Sequence, residues 1–328
     1  MPAARVVPRG PRMAPRQEEV ADLIRFLAWR LLSGVVVMTL VTATVFFVTR
    51  MLTDPVRIML PLSASQEDYD RLEASLGLDQ HLLTQFWEFI SGAVRLDFGE
   101  SFWQGVPALE VVIGRLPSTF QLVSASMVVA VVLFVPLGMA ASLKPGGWLD
   151  RILVSASLFG LSMPQFWLGS MLIFVFSVKL GWLPTSGSGG PEHLVLPAFT
   201  LALTSGGRIA QITRSSMLDQ LNRPYVTTLR AKGMGRSYVL FRHVLRNALL
   251  PIVTLIAYES AFAMAGYAVI VETVFAWPGI GRLAVQAVTQ RDIVLLQALV
   301  FVAALVVVVV NTIADVIYKM IDPRVNIS

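Results

Sequence analysis

The stretch "TLRAKGMGRSYVLFRHVLRNALLP", residues 228–251, decides how this chain is arranged. It carries five Lys or Arg side chains together with His243, contains no acidic residue, and lies between two long apolar runs. Loops on the cytoplasmic side of a membrane are rich in Lys and Arg. The stretch therefore predicts an intracellular loop between two membrane-spanning helices.

The composition of the whole chain supports a membrane location. Of its 328 residues, 55% are hydrophobic and 14% are charged, and the mean hydropathy is +0.69. Soluble domains carry about a quarter charged residues, so we expect a polytopic membrane protein. The sequence has no cysteine, which excludes disulfides, thiolate metal sites and cysteine nucleophiles. The net charge of +5 is too small to indicate nucleic-acid binding.

Six segments are apolar enough and close enough to the length of about 20 residues that a spanning helix needs. They cover residues 31–48, 120–143, 152–178, 194–212, 249–275 and 293–318. The sequence thus predicts an all-α protein with six transmembrane helices and a small helical extracytoplasmic region between the first two. No small-residue cleavage site follows the first segment, so we expect an uncleaved anchor.

The distribution of charge gives the orientation. Residues 1–30 hold six basic and three acidic side chains, whereas residues 50–115 hold five basic and ten acidic ones. Residues 208–246 hold eight basic side chains and one acidic side chain. With both termini in the cytoplasm, each basic excess falls on the inner side.

This topology divides the chain into five regions. They are a disordered basic tail (1–20), a first transmembrane region (21–49), an extracytoplasmic loop region (50–118), a transmembrane core with a cytoplasmic loop at 214–248 (119–319), and a cytoplasmic C-terminal tail (320–328). In the outer region, two helical pieces are expected on either side of Gly77. The second has an apolar stripe that would pack onto the spans or rest at the membrane surface; ligand binding is the alternative.

Residues suited to catalysis are not grouped in the sequence. His81, His193 and His243 fall in loops on opposite sides of the membrane, so they predict neither a metal site nor a triad. Glu259 and Glu272 are nearly 20 Å apart along a helix, at about 1.5 Å per residue. A transporter, a pore or a scaffold is therefore favoured over an intramembrane enzyme.

The basic stretch has the pattern of a helix, a turn and a second helix. Gly233 and Gly235 interrupt it, and apolar residues recur beyond them at spacings of three and four. An apolar ridge with basic edges suits docking into a groove of a soluble protein. An interfacial helix whose basic side chains contact anionic lipid headgroups explains the same pattern.

Polar residues within the spans are candidates for a translocation path. A carboxylate such as Glu259 is costly in hydrocarbon, so it should face a cavity, a solute or a neighbouring helix. Glu272 precedes the turn "WPGIG" and is expected to accept hydrogen bonds there. Pro164 should bend the third span. The candidate path or gate residues are Pro164, Gln165, Tyr258, Glu259, Met264, Tyr267 and Glu272.

Several blocks together resemble one family. The blocks "RAKG" and "RHVLRNALLP", together with "GLSMPQFWLGSMLIF", "LGWLPTSG", "VETVFAWPGIGRL" and "DVIYKMIDPRV", occur in the order seen in the dipeptide/oligopeptide/nickel branch of the binding-protein-dependent ABC importer permeases. The likeness extends over residues 20–326. The resemblance implies that the chain is a permease subunit in the inner membrane of a bacterium or an archaeon.

The resemblance implies a mechanism and partners. The basic loop would be the coupling helix that rests in a cleft of a separate ATPase subunit. The coupling residues would be Tyr225, Arg230, Ala231, Lys232, Gly233, Arg242 and Arg246. A second homologous permease, two ATPase subunits and an extracytoplasmic solute-binding protein would complete the importer within membrane lipid. This chain would bind no cofactor and no nucleic acid, and ATP and Mg would be bound by the partner subunits.

Two other classes of function compete with an importer subunit. A proton-coupled carrier would use Glu259 as its proton site, although the sequence has no second half related to the first. A membrane scaffold would tolerate deletion of the basic loop without loss of solute uptake. Peptides, nickel chelates, glutathione and opine-like compounds are the solutes compatible with the resemblance.

Overall fold

A computed structural model of the chain describes residues 15–52, 56–57, 60, 64–75 and 77–321. Within these residues the regular structure is helical, apart from one isolated antiparallel bridge between Glu100 and Pro107. The helices are α1 Pro15–Leu52, α2 Gln66–Ser75, α3 Leu82–Val94, α4 Ala108–Ser142, α5 Trp148–Ser162, α6 Gln165–Leu172, α7 Glu192–Leu221, α8 Pro224–Ala231, α9 Arg236–Tyr238, α10 Leu245–Phe262, α11 Val269–Val274, α12 Ile280–Thr289 and α13 Ile293–Ile321.

Three π-helical segments extend these helices. Ile173–Lys179 follows α6, Val239–Val244 joins α9 to α10, and Ala263–Tyr267 follows α10. The helical path from α9 through α10 is therefore unbroken as far as Gly266, and the second helix of the basic loop forms one end of a candidate span.

Four helices in the described part of the chain are long and apolar enough to cross a membrane, and a bent pair would make a fifth span. The four are Ala28–Met51, Ala108–Ser142, Arg236–Tyr267 and Ile293–Val316. The expected all-α membrane fold is confirmed, whereas the count of six spans is not. The segment predicted as the fourth span lies in α7, which is long enough but too polar to pass on composition.

The polarity of α7 follows from its central position. Its main neighbours are α4, α5 and α10. Thr200, Thr204 and Thr213 are buried, and each hydroxyl donates to the carbonyl four residues earlier. Gly138 of α4 lies so close to Ala210 that a side chain there would collide with its carbonyl oxygen. A helix enclosed by other helices needs little apolar surface, and small residues allow such close packing.

The predicted third span is broken rather than merely bent. Helices α5 and α6 meet at 105°, and Met163 and Pro164 between them have extended backbone conformations. Proline supplies no N–H and excludes the helical conformation from the residue before it. The bend expected at Pro164 is therefore confirmed, and it divides the segment into two helices.

In the region predicted to lie outside the membrane, helix α4 begins at Ala108, ahead of residue 120 where the second span was predicted to start. Gly77, with φ of +65°, separates α2 from α3 as expected. Phe86 of α3 stacks on Phe47 of α1, with ring centroids 5.3 Å apart. The expected packing onto a span is confirmed for this residue, while Trp87 beside it is 72% exposed.

The ends of two helices differ from the predicted region boundaries, and the structure describes the two predicted terminal tails only in part. Helix α1 begins at Pro15, inside the tail predicted for residues 1–20, whose first fourteen residues lie outside the described part. Helix α13 ends at Ile321, and residues 322–328 of the predicted C-terminal tail also lie outside it. Helix α7 continues to Leu221, so its last residues belong to a core helix and not to the loop predicted for 214–248.

Candidate functional site

An ion pair joins α7 to α10 in the interior of the helical bundle. Nη2 of Arg208 donates to Oε2 of Glu259 at 2.8 Å, and Nε lies 2.7 Å from Oε1. The Glu259 side chain is 2% exposed, whereas that of Arg208 is 38% exposed. The carboxylate is thus enclosed, and the guanidinium reaches the surface of this chain.

Sequence reasoning singled out Glu259 but missed its partner. Arg208 was counted with the basic inner loop, whereas it lies near the middle of the 30-residue α7. The available signal was one positive charge, Arg208, in the predicted fourth span and two negative charges, Glu259 and Glu272, in the fifth, since charges at membrane depth usually pair. The separation of 51 residues between Arg208 and Glu259 gave no reason to match them.

A line of polar residues on α7 leads to the ion pair. Thr200, Thr204 and Arg208 follow each other at spacings of four, so they lie on one face of the helix. Nε2 of Gln165, at the start of α6, donates to Oγ1 of Thr204 at 3.3 Å. Oε1 of Gln165 is buried and has no partner among the described residues. The structure therefore brings Gln165 near the same polar face as Glu259, and Pro164 places it there by breaking the helix.

Three aromatic side chains form a ledge beside the ion pair. Tyr258 and Phe262 are stacked with ring centroids 6.1 Å apart, and Phe262 contacts Tyr267 at 4.9 Å. Tyr258 is 59% exposed and Phe262 41% exposed. Tyr258 directly precedes Glu259 in α10, and Phe262 follows Glu259 by three residues. Two of the predicted path residues, Tyr258 and Tyr267, are therefore grouped with Glu259, and Phe262 is an unpredicted third member.

Met264 and Glu272 lie at another place in the bundle. Both line an apolar cavity of about 340 Å³ between α1, α4, α12 and α13. Met264 also belongs to the buried core. The backbone of Gly266 beside it has φ of +136°, which ends the helical path of α10. The structure thus groups Met264 with Glu272 at this cavity, and Tyr267 packs against the same core cluster as Met264.

Glu272 holds together the turn between α11 and α12. Its side chain is fully buried, Oε1 accepts from Thr119 Oγ1 at 2.6 Å, and Oε2 accepts from the N–H of Arg282 at 3.0 Å. A side chain at Gly279 would collide with this carboxylate. The expectation that Glu272 accepts hydrogen bonds at the turn is confirmed; a role in gating stays a prediction.

The basic segment 222–246 forms a second candidate site at one end of the bundle. Helix α8 is anchored by buried Val226, which packs in a cluster with Met217 and Val244. Tyr225 donates from its hydroxyl to Oε1 of Gln220 at 3.2 Å. Helix α8 is thus packed against the end of α7 and the start of the path that leads into α10.

The face of this segment that points away from the helical bundle is exposed and basic. Gly233 has φ of +79° and provides the predicted break between α8 and α9. Among the described residues, none of its Lys and Arg side chains forms an ion pair. The predicted coupling residues other than Tyr225 lie exposed on this surface: Arg230, Ala231, Lys232, Gly233, Arg242 and Arg246. Phe241 between them is 61% exposed, which gives an apolar centre to the basic surface.

Residues suited to hold a metal ion are not grouped in the described part of the chain, where no three His, Asp or Glu side chains come together. The arrangement instead offers hydrogen bonding, charge and aromatic surface along α7 and α10, and an exposed basic surface on segment 222–246.

Comparisons with known proteins agree on one family. Residues 134–327 match the family described as binding-protein-dependent transport system inner membrane component, and residues 23–123 match the N-terminal region of such membrane components. The glutathione transport system permease protein GsiC of Escherichia coli (strain K12) is 37% identical over 305 residues, which is 93% of this chain and 99% of that protein. The GsiC of Shigella dysenteriae serotype 1 (strain Sd197) gives the same values.

Solved structures show the same fold at lower identity. Inward-facing forms of the MetNI methionine ABC transporter match with TM-scores of 0.54 and 0.56 at 17% identity. Each match covers 65% of this chain and 96% of the other.

Proposed function

Because the chain belongs to the family of binding-protein-dependent transport system inner membrane components and is thus a translocation-path subunit of an ATP-binding-cassette importer, we propose that its solute is a small peptide. The chain is not an enzyme, since ATP hydrolysis in these importers occurs in separate subunits, which hold ATP and Mg. The family has no cofactor of its own.

The ion pair between Arg208 and Glu259 carries the proposal for the path. An exposed guanidinium in the middle of a spanning bundle is incompatible with lipid tails. The surface formed by Arg208, Tyr258 and Phe262 must therefore face water or protein. In an importer, that surface is the boundary with the second permease, which in our proposal is a homologous chain.

A peptide fits the chemistry of this surface. Arg208 offers charge-assisted hydrogen bonds, and the aromatic ledge offers contact for apolar side chains. Similarity over nearly the full length to permeases named for glutathione favours a solute of tripeptide size. Dipeptides, longer oligopeptides and nickel chelates are the alternative solutes, and uptake measurements distinguish them.

The coupling site is proposed to be the exposed basic segment 222–246. Its surface combines apolar Phe241 with Arg230, Arg242 and Arg246, which suits a cleft in a soluble ATPase subunit. Since α9 continues into α10, displacement of the segment would move the span that carries Glu259. ATP-driven closure of two ATPase subunits would in this way reach the solute path.

The multi-pass location in the inner membrane follows from the family and the apolar helices. We propose that both termini lie in the cytoplasm, because the segment 222–246 would then face the ATPases. The solute-binding protein would dock on the opposite side, where α2 and α3 lie. A proton-coupled carrier is not supported, since the family and the relatives are ATP-driven importers.

Purification of the whole importer tests the proposal. The complex of this chain with its second permease, ATPases and binding protein is placed in proteoliposomes, and uptake is measured for glutathione, di- and tripeptides, pentapeptides and nickel. We expect ATP-dependent uptake of the tripeptides and stimulation of ATP hydrolysis by the same solutes. Uptake of nickel alone would overturn the peptide proposal and leave the importer family unaffected.

A further inference from the structure

We infer that Arg208 binds a carboxylate of the solute in the translocation path and that buried Glu259 positions the guanidinium for it. This inference rests on the proposed peptide import and names the group by which the path recognises its cargo. It differs from the sequence-based expectation, in which Glu259 itself was a candidate for contact with the solute.

The hydrogen-bond capacity of Arg208 leaves room for a ligand. Arginine has five N–H donors, and the contacts with Glu259 engage Nε and Nη2. In the described part of the chain, Nη1 donates to nothing, yet it is absent from the buried atoms that lack a partner. Nη1 is therefore accessible and keeps its two N–H donors for another partner. A carboxylate is the partner that guanidinium recognises with matching geometry.

Arg208 lies far from both ends of α7, so its accessible Nη1 lies deep within the bundle. Arg208 lies about 24 Å from the outer end of α7 and about 20 Å from its inner end, at 1.5 Å per residue. At this depth an exposed charge must face a watery cavity or a polar partner. The aromatic ledge of Tyr258, Phe262 and Tyr267 lies on the helical path that carries Glu259. A peptide whose carboxylate is bound by Nη1 would therefore have its own side chains beside aromatic rings.

Glu259 moderates the affinity of Arg208 for a second carboxylate. At 2% exposure it cannot reach a solute, but it neutralises Arg208 and fixes the plane of the guanidinium. A cation already paired with one carboxylate attracts a second one less strongly than a free cation would. A group that must accept a solute and then release it needs such moderate affinity.

The two single substitutions therefore have opposite effects on affinity. Arg208→Gln removes the donors, and the half-saturating concentration for uptake should rise about tenfold, as for loss of a charge-assisted hydrogen bond. Glu259→Gln leaves the cation unneutralised, so the half-saturating concentration should fall while the maximal rate also falls. Arg208→Lys keeps a positive charge and should retain most of the uptake. If the ion pair had only a structural role, Arg208→Gln and Glu259→Gln would change the half-saturating concentration in the same direction, because each substitution breaks the pair.

The experiment uses the whole importer in proteoliposomes with its binding protein. The probes are radiolabelled dialanine, trialanine and γ-glutamylalanine, each with a free carboxylate. Arg30→Gln is the matched control, because it breaks an ion pair with Asp315 between α1 and α13, away from the ledge. We expect this control to lower the Tm without changing the half-saturating concentration.

Each outcome decides the inference. Opposite shifts for the Arg208→Gln and Glu259→Gln variants, with rescue by Arg208→Lys, support it. Equal shifts, or Arg208→Lys behaving as Arg208→Gln, overturn it while peptide import stands. If the unmodified importer hydrolyses ATP but takes up none of the three probes, the proposed peptide import fails and this inference fails with it.

Discussion

Thr119 and Glu272 lie 153 positions apart in the chain, yet the threonine hydroxyl donates to the glutamate carboxylate at 2.6 Å. The same hydroxyl oxygen accepts from the N–H of Ile280 at 2.9 Å. One side chain of α4 therefore satisfies both a buried carboxylate and the first N–H of α12. Trp277 adds a second tie, since its Nε1 donates to the carbonyl of Ser118 at 2.8 Å. The turn between α11 and α12 is thus fastened to α4 from two sides.

Replacement of Thr119 by valine should destabilise the protein without blocking its insertion. Valine has the shape of threonine but leaves Glu272 and the N–H of Ile280 each short of one partner, at a cost of about 1–3 kcal/mol for each buried group. Thermal unfolding in detergent measures the change as a lower Tm. Thr119→Ser, which keeps the hydroxyl, is the control and should lie close to the unmodified protein. A Thr119→Val variant with unchanged Tm would contradict the shared hydrogen-bond arrangement.

Gly233→Trp should leave the chain inserted but deprive it of its ATPase subunits. No other residue approaches a side chain placed at Gly233, so the substitution does not disturb this chain's own packing. It would instead obstruct the proposed coupling surface. Co-purification of the ATPase measures the effect, and we expect recovery to fall about tenfold or more, since overpacking at a close interface costs about 1–3 kcal/mol.

Gly105 provides the matched control for the coupling surface. It has φ of +65°, close to the +79° of Gly233, and it also has open space around it, but it lies in the outer segment before α4. Gly105→Trp carries the same backbone strain and should retain the ATPase. Normal recovery of ATPase with Gly233→Trp would place the docking surface elsewhere.

The orientation can be tested with single cysteines, because the chain contains none. Asp79→Cys places a thiol at an exposed position between α2 and α3, and Ser237→Cys places one in exposed α9. A membrane-impermeant maleimide should label the first in intact cells, and the second only after permeabilisation. Labelling of Ser237→Cys in intact cells would reverse the proposed topology.

Asp292→Ala should release the segment before α4 from the bundle. Oδ2 of Asp292 accepts from the hydroxyl of Ser101 and, at 3.1 Å, from the N–H of Trp103, while Oδ1 accepts from Leu295 N at 2.9 Å. Loss of a buried carboxylate that joins three donors should cost about 3 kcal/mol. Limited proteolysis from the outer face measures the change as faster cleavage near residue 103.

Asp97→Ala is the control for that experiment. Asp97 is exposed and accepts one hydrogen bond from the N–H of Gly99. Its removal should change stability by about 0.5 kcal/mol or less, as for an exposed side chain, and leave cleavage unchanged. Equal cleavage of the two variants would show that Asp292 does not fasten the segment.

Local sequence features predicted much of the architecture. The apolar runs marked the spanning helices, Gly77 and Gly233 marked breaks that require positive φ, and Pro164 marked a bend. Each of these features acts through its own backbone or through transfer from water to lipid, so a short window contains the information. The angle of 105° at Pro164 was not predictable from a short window, because both helices that meet there also pack against α7, which is distant in the sequence.

The sequence alone determined that the chain is a helical membrane protein with a basic segment between two apolar ones, because hydrophobicity and charge act on each segment independently. Only the tertiary structure decided that Arg208 belongs to the core and pairs with Glu259, that Met264 and Glu272 line a separate cavity, and that polar α7 is enclosed. These relationships depend on which helices become neighbours. That choice is made by side-chain packing between segments far apart in the chain, where small residues such as Gly138 admit close contact.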